Sequence, residues 1–149
     1  MIRVVFDSTT IVSAFPAAPG GTLAALVDRW RAGAFGLVVS EHILGEVARA
    51  WTKPYWRPRF SQAQVERVLA LLRQEAEVTP VTVHVAGVAT HPEDDLVLAA
   101  AVSADADYLV SGDKQLQRLG RYDGVIIRSP RDFLALLDQQ GGEDEAPSS

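Results

Sequence analysis

Short runs of β-branched and aromatic residues alternate along this chain with longer stretches in which apolar positions recur every three or four residues. Ile2-Arg3-Val4-Val5-Phe6 predicts a buried strand. Ser8 to Gly21 follows as a long connection carrying Pro16, Pro19 and paired glycines. Thr22 is placed to cap a helix through about Arg31, with Leu23, Leu26, Val27 and Trp30 on one face and Gly33 at its end. Phe35–Val39 predicts a second strand, and Ser40 a cap for a helix over Glu41–Trp51 whose apolar face is Ile43, Leu44 and Val47. Beyond Pro54 and Pro58, Ser61 with Gln64 forms a capping-box signature, opening a helix that turns Val65, Val68, Leu69 and Leu72 inward. Val78–Val88 predicts a strand and loop, with Pro80 early in it. A helix runs from Pro92 or Glu93 to Ser103, with proline in the first turn where its missing N–H costs nothing. Tyr108–Ser111 and Val125–Ile127 are further short strands, and Ser129-Pro130 opens a last helix to about Leu137.

Strands that alternate with helices predict an α/β domain over residues 1–137, a central parallel sheet covered on both faces. The final segment, 138–149, is polar and acidic and is expected to be disordered. In sheets of this kind ligands bind outside the carboxyl ends of the strands. Two acids lie there: Asp7 closes the first strand, and Asp113 follows Tyr108-Leu109-Val110-Ser111-Gly112.

Composition narrows the chemistry. The 149 residues are 48% hydrophobic and contain no cysteine, so disulfides, thiolate zinc sites and a cysteine nucleophile are excluded. No apolar run approaches the roughly 20 residues of a membrane span, and the N-terminus lacks the basic stretch and cleavage site of a signal peptide. A cytoplasmic location without membrane association is the expectation. The net charge of −5 argues against nucleic acid until its distribution is considered. Residues 49–75 hold six bases against two acids, and residues 114–131 hold five against one, each a local +4. A basic rim around an acidic centre is compatible with that segregation.

The acids carry the candidate chemistry. If Asp7, Glu46, Asp94 and Asp113 converge, they form an oxygen-only pocket of the kind that holds Mg²⁺ or Mn²⁺. Each also has a plainer role. Asp7 and Asp113 suit turns or caps, Glu46 alone would be a solvated helix charge, and Asp94 and Asp95 suit the positive end of a helix dipole. Spacing does not separate capping from ligation. His42 and His91 lie near helix starts, where histidines are usually structural or exposed, and His84 alternates with valines on a solvent-facing side.

Four blocks, in order, resemble the PIN-domain family. Val4-Val5-Phe6-Asp7-Ser8-Thr9-Thr10 is similar to its opening, Ser40-Glu41-His42-Ile43-Leu44-Gly45-Glu46 to its second block, His91-Pro92-Glu93-Asp94-Asp95-Leu96 to its third, and Val110-Ser111-Gly112-Asp113-Lys114-Gln115 to its fourth. The blocks span about residues 2–137, and the subgroup they resemble is that of prokaryotic VapC-type toxins. The resemblance implies a three-layer α/β/α sandwich and a Mg²⁺- or Mn²⁺-dependent endoribonuclease, the toxin of a type II toxin–antitoxin pair. It assigns the metal site to Asp7, Glu46, Asp94 and Asp113, makes Thr9 and Ser111 supporting neighbours, and leaves Asp95 as a substitute for Asp94 one position away. It implies an RNA substrate, an antitoxin partner and a homodimer. Two positions depart from the pattern. Thr9 stands where asparagine is usual, which alters the hydrogen bond that orients Asp7, and Gln115 stands where many members carry another acid, which weakens a second metal position.

The segment Trp51-Thr52-Lys53-Pro54-Tyr55-Trp56-Arg57-Pro58-Arg59-Phe60 interleaves bases and aromatics, a pairing that serves single-stranded RNA. Lys53, Arg57 and Arg59, with Lys114, are the expected RNA contacts. The plainer reading anchors at least half of the aromatics on the core, and an exposed remainder would suit a dimer or antitoxin contact. Two other functions compete. A phosphotransferase on a similar scaffold would want a second acid near Asp7, where Ser8-Thr9 stands. A PIN-like protein-interaction or RNA-binding module without catalysis would tolerate both departures.

Overall fold

The computed structural model describes residues 1–145, with side chains described through 140. Its frame is a six-stranded sheet in the order β3-β2-β1-β4-β6-β5, built from β1 (Arg3–Phe6), β2 (Gly36–Val39), β3 (Glu77–Val78), β4 (Tyr108–Val110), β5 (Arg121–Tyr122) and β6 (Val125–Arg128). The first four pairings are parallel, as the alternation predicts. The edge is not: β5 pairs antiparallel with β6 across Asp123-Gly124, whose φ angles of 47° and 86° suit a tight hairpin.

The sheet is buried on both faces. On one, Phe6, Phe35, Tyr108 and Phe133 form a chain of ring contacts with centroids 5.3–5.8 Å apart. On the other, α5 (Pro92–Ser103) packs against β1 and β4, and its buried Val97, Leu98, Ala99, Ala100 and Ala101 include three alanines that let the helix lie close. The helices α2 (Thr22–Arg31) and α7 (Pro130–Glu145) pack together, as do α1 (Ser8–Ala14) and α3 (Glu41–Ala50). Between α3 and β3, α4 (Gln62–Glu75) opens on the predicted capping box, with both reciprocal hydrogen bonds formed.

Several elements differ from expectation. The connection after β1 begins as α1, because Asp7 caps it and Ile11, Val12 and Ala14 are buried. Gly21, not Thr22, occupies the cap position of α2. A short helix, α6 (Lys114–Leu119), follows Asp113. The stretch 79–90 contains no strand beyond β3, because side chains satisfy its backbone: Ser103 Oγ accepts from Thr82 and Val83, and Asp95 from Gly87 and Ala89. The last helix does not end near Leu137 but continues to Glu145 through Gly141-Gly142, so most of the segment expected to be a disordered tail is helical. Residues 146–149 lie outside the described residues. No described helix is long and apolar enough to cross a membrane.

Strand order reverses at β1, which lies between β2 and β4. Phe6 stands opposite Val110, so the next residues, Asp7 and Ser111, leave the sheet side by side. This is the switch point at which open α/β sheets bind ligands.

Candidate metal centre

Asp7 is buried at the end of β1 because the strand must continue inside the sheet while its side chain caps α1. Oδ1 accepts the N–H of Thr10 at 2.9 Å, and Oδ2 accepts the hydroxyl of Ser111. Burial pushes its carboxyl above the usual carboxylate range, the hydrogen bonds from Ser111 and Thr10 pull it back, and the charge of Asp113 raises it further. Ser111 is itself fully buried and accepts the N–H of Asp113 at 3.0 Å.

Asp113 caps α6, with Oδ1 accepting from Gln115 N–H at 2.8 Å. Asp94 stands in the first turn of α5. Partial burial and then the charges of Asp113 and Asp7 push its carboxyl up to about 6, offset slightly by His91. Glu46 reaches in from α3, where Oε1 accepts the hydroxyl of Ser8 at 2.9 Å. His42 Nε2 lies 3.0 Å from the same oxygen. It lies off the line a hydrogen bond requires, so the contact is one of proximity only and this buried nitrogen has no hydrogen-bond partner among the described residues.

A cavity of about 290 Å³ is lined by Asp7, Glu46, Asp94 and Asp113 together with Ser8, Thr9, His91 and Glu93. The four predicted acids therefore share one space. Glu93 is an addition that the helix-start reading passed over. Among the described residues none of these carboxylates is paired with lysine or arginine. Oxygen donors without a resident counter-charge fit a hard divalent cation. The cage is not ready-made: among the described residues no group of three or more His, Asp or Glu side chains stands close enough to hold an ion.

Two supporting residues are reassigned. Thr9 is exposed on the cavity wall, and the partners that orient Asp7 are Thr10 and Ser111, so threonine at position 9 does not disturb that carboxylate. Asp95 does not substitute for Asp94. It is buried, and its two oxygens hold Gly87 N–H at 3.0 Å and Ala89 N–H at 2.7 Å.

The basic residues divide. Lys53 lines a second cavity that shares Glu46 with the first, and Arg49 and Trp56, which spacing did not single out, line it too. Arg57 faces a separate cavity beside Trp51 and Phe60. Arg59 lies 3.9 Å over the ring of Tyr55. Lys114 is exposed beside Asp113, while Arg118 lines a cavity with Asp94 and Asp113. Trp51 and Phe60 are core anchors, Trp56 is half-buried, and Tyr55 is exposed.

Residues 3–115 match the family model described as the PIN domain. The chain belongs to the PIN-domain family. Its fold is similar to that of a chain in the crystal structure of VapBC2 from Rickettsia felis bound to a DNA fragment from their promoter, with a TM-score of 0.59 at 13% identity over 86% of this chain and 98% of that one. At that identity the likeness is one of fold. No curated protein matches. In this PIN domain the matched span includes all four acids and ends at Gln115, so the helix α7 lies beyond it.

Proposed function

We propose that this PIN domain is a Mg²⁺- or Mn²⁺-dependent endoribonuclease that acts as the toxin of a toxin–antitoxin pair. The observation that carries the reading is the meeting of Asp7, Glu46, Asp94 and Asp113 on one cavity at the sheet's switch point, with no lysine or arginine paired to them among the described residues. These four residues would hold the metal. Bound there, a divalent ion supplies an acidified water and neutralises charge on a phosphodiester. The chain's own part is positional. Ser111 and Thr10 fix both oxygens of Asp7, Ser8 holds Glu46 across the cavity, and Gln115 N–H orients Asp113. Lys53, on the wall of the adjoining recess, and Lys114, exposed beside Asp113, would contact the phosphate backbone of an RNA strand, whereas Arg57 faces a separate cavity and Arg59 lies over Tyr55.

The test is cleavage of RNA by purified protein with Mg²⁺ or Mn²⁺, and with EDTA. Activity is expected only with metal, and Asp7→Asn or Asp113→Asn is expected to lower it by about a hundredfold or more. Turnover unchanged from the wild type in both variants would reject the reading. The likeness in fold to a chain of VapBC2 supports the reading that this chain also works with an antitoxin partner. Growth arrest on expression, relieved by the product of a small neighbouring gene, is the corresponding test in cells.

A further inference from the structure

The acidic cavity shares Glu46, Ser8, Thr9 and Glu93 with a larger recess of about 690 Å³, whose remaining wall includes Arg49, Lys53 and Trp56. That volume falls within the roughly 300–1,000 Å³ of small-ligand sites. Arg49 and Lys53 are exposed and form no ion pair among the described residues, so both are available to an anion. Arg49 lies back along its helix over Gly45. A Cβ there would stand 3.3 Å from the guanidinium, and a mid-helix glycine otherwise costs about 1 kcal/mol relative to alanine. Trp56 is braced edge-on by Tyr55, with centroids 5.0 Å apart at 87°, and Tyr55 is covered in turn by Arg59. The indole is therefore held in place while part of it faces the recess.

We propose that this recess is a nucleotide subsite adjoining the cleavage centre, where one unpaired base stacks on Trp56 while Arg49 and Lys53 hold its phosphate. The inference rests on the ribonuclease reading of the neighbouring acids. A base paired in a duplex has no free face to offer Trp56, so the subsite selects single-stranded RNA. Stacking reads the face of a base rather than its edge, so the selection is tolerant of sequence.

Binding is measured in EDTA on the full chain carrying Asp7→Asn, so that nothing is cleaved, with a 2′-O-methyl RNA oligomer of mixed sequence about twenty nucleotides long, alone and annealed to its complement. Trp30 and Trp51 are buried, so fluorescence quenching by the oligomer reports on Trp56. Quenching by the single strand is expected. Trp56→Leu should abolish it and weaken binding about tenfold, while Trp56→Phe retains most of the affinity. Arg49→Gln and Lys53→Gln should each reduce the salt dependence of binding by about one phosphate contact. Unchanged affinity in Trp56→Leu, or equal binding of the duplex, overturns the subsite even if the wild-type protein cleaves RNA. Trp56-dependent binding by a wild-type protein that never cleaves upholds the subsite and rejects the nuclease reading instead.

Discussion

Ser111 donates its hydroxyl to Asp7 Oδ2 and with the same oxygen accepts the backbone N–H of Asp113. Two acids that follow different strands are thereby tied through one buried atom. The parallel register of β1 and β4 makes this possible, since Phe6 opposite Val110 brings the next positions of each strand together. Asp7 is the most buried of the four acids, and a buried carboxylate stays charged only where hydrogen bonds hold it.

Ser111→Ala removes a donor from Asp7 and an acceptor from Asp113, and puts nothing in their place. A buried group left unsatisfied costs about 1–3 kcal/mol. The expected outcome is a loss of stability of that amount, read as a lowered urea midpoint at unchanged slope. More Mn²⁺ should also be needed for half-maximal cleavage, because Asp7 is harder to ionise. A variant as stable as the wild type, with the same metal requirement, would show that Ser111 does not act through Asp7.

Asp94 gives the metal-free protein a signed dependence on pH. Its carboxyl titrates near 6 in the fold and near 3.8 in the unfolded chain. Below about pH 3.8 both states hold the proton and the group contributes nothing. As pH rises from there to about 6, the unfolded chain loses the proton first, so stability falls, and the penalty is complete above 6. Asp94→Asn should remove it, raising stability in EDTA at pH 7.5 by about 1 kcal/mol once solvent screening of this partly exposed group is allowed for. The gain should shrink steeply toward pH 4 and vanish well below pH 3.8. Thermal melts of both proteins across that range decide the matter, and a gain that grows toward low pH would contradict the assignment.

Asp94 and Asp95 are adjacent in the chain and opposite in role. Asp95→Asn should destabilise the protein by about 2 kcal/mol, because charge-assisted hydrogen bonds to two backbone N–H groups are weakened. Its folded fraction should still cleave RNA. Asp94→Asn should do the reverse, keeping the fold and losing cleavage. Denaturation and turnover measured on the same preparations separate the two, and the opposite pattern would exchange the roles.

The sheet's parallel core and five of the seven described helices were legible, because amphipathic segments, two of them with Ser40 and Ser61 caps, carry strong local signals. What escaped was short or depended on distant partners. Ser8-Thr9-Thr10-Ile11-Val12 is rich in β-branched residues, which favour helix weakly, and it becomes α1 only because Asp7 caps it and the core covers it. Asp123-Gly124 is a local hairpin signal, and it turns the antiparallel edge pair β5–β6. Nothing local announces that residues 79–90 are held by Asp95 and Ser103 rather than by a neighbouring strand. Among the acids, Asp7 and Asp113 were visible as strand exits. Glu46 needed the family, and Arg49 and Trp56 needed a cavity that no spacing rule connects.

Gln115 offers the last test, that of how many ions the centre takes. Its N–H already orients Asp113, and its side chain lines a cavity with Asp94 and Asp113. An acid there would add a further carboxylate at the start of α6, where the helix dipole tolerates negative charge. Calorimetric titration of the wild-type protein with Mn²⁺ is expected to show one tight equivalent, and Asp7→Asn none. Gln115→Glu should add a second equivalent and accelerate cleavage, since a second ion stabilises the leaving oxygen. If the wild-type protein takes up no Mn²⁺ that Asp7→Asn abolishes, the four acids do not form a metal centre and the chain is an interaction module on a PIN scaffold. If it takes up two, Gln115 is no obstacle, and the second ion is held by Glu93 or another acid on the same cavity wall.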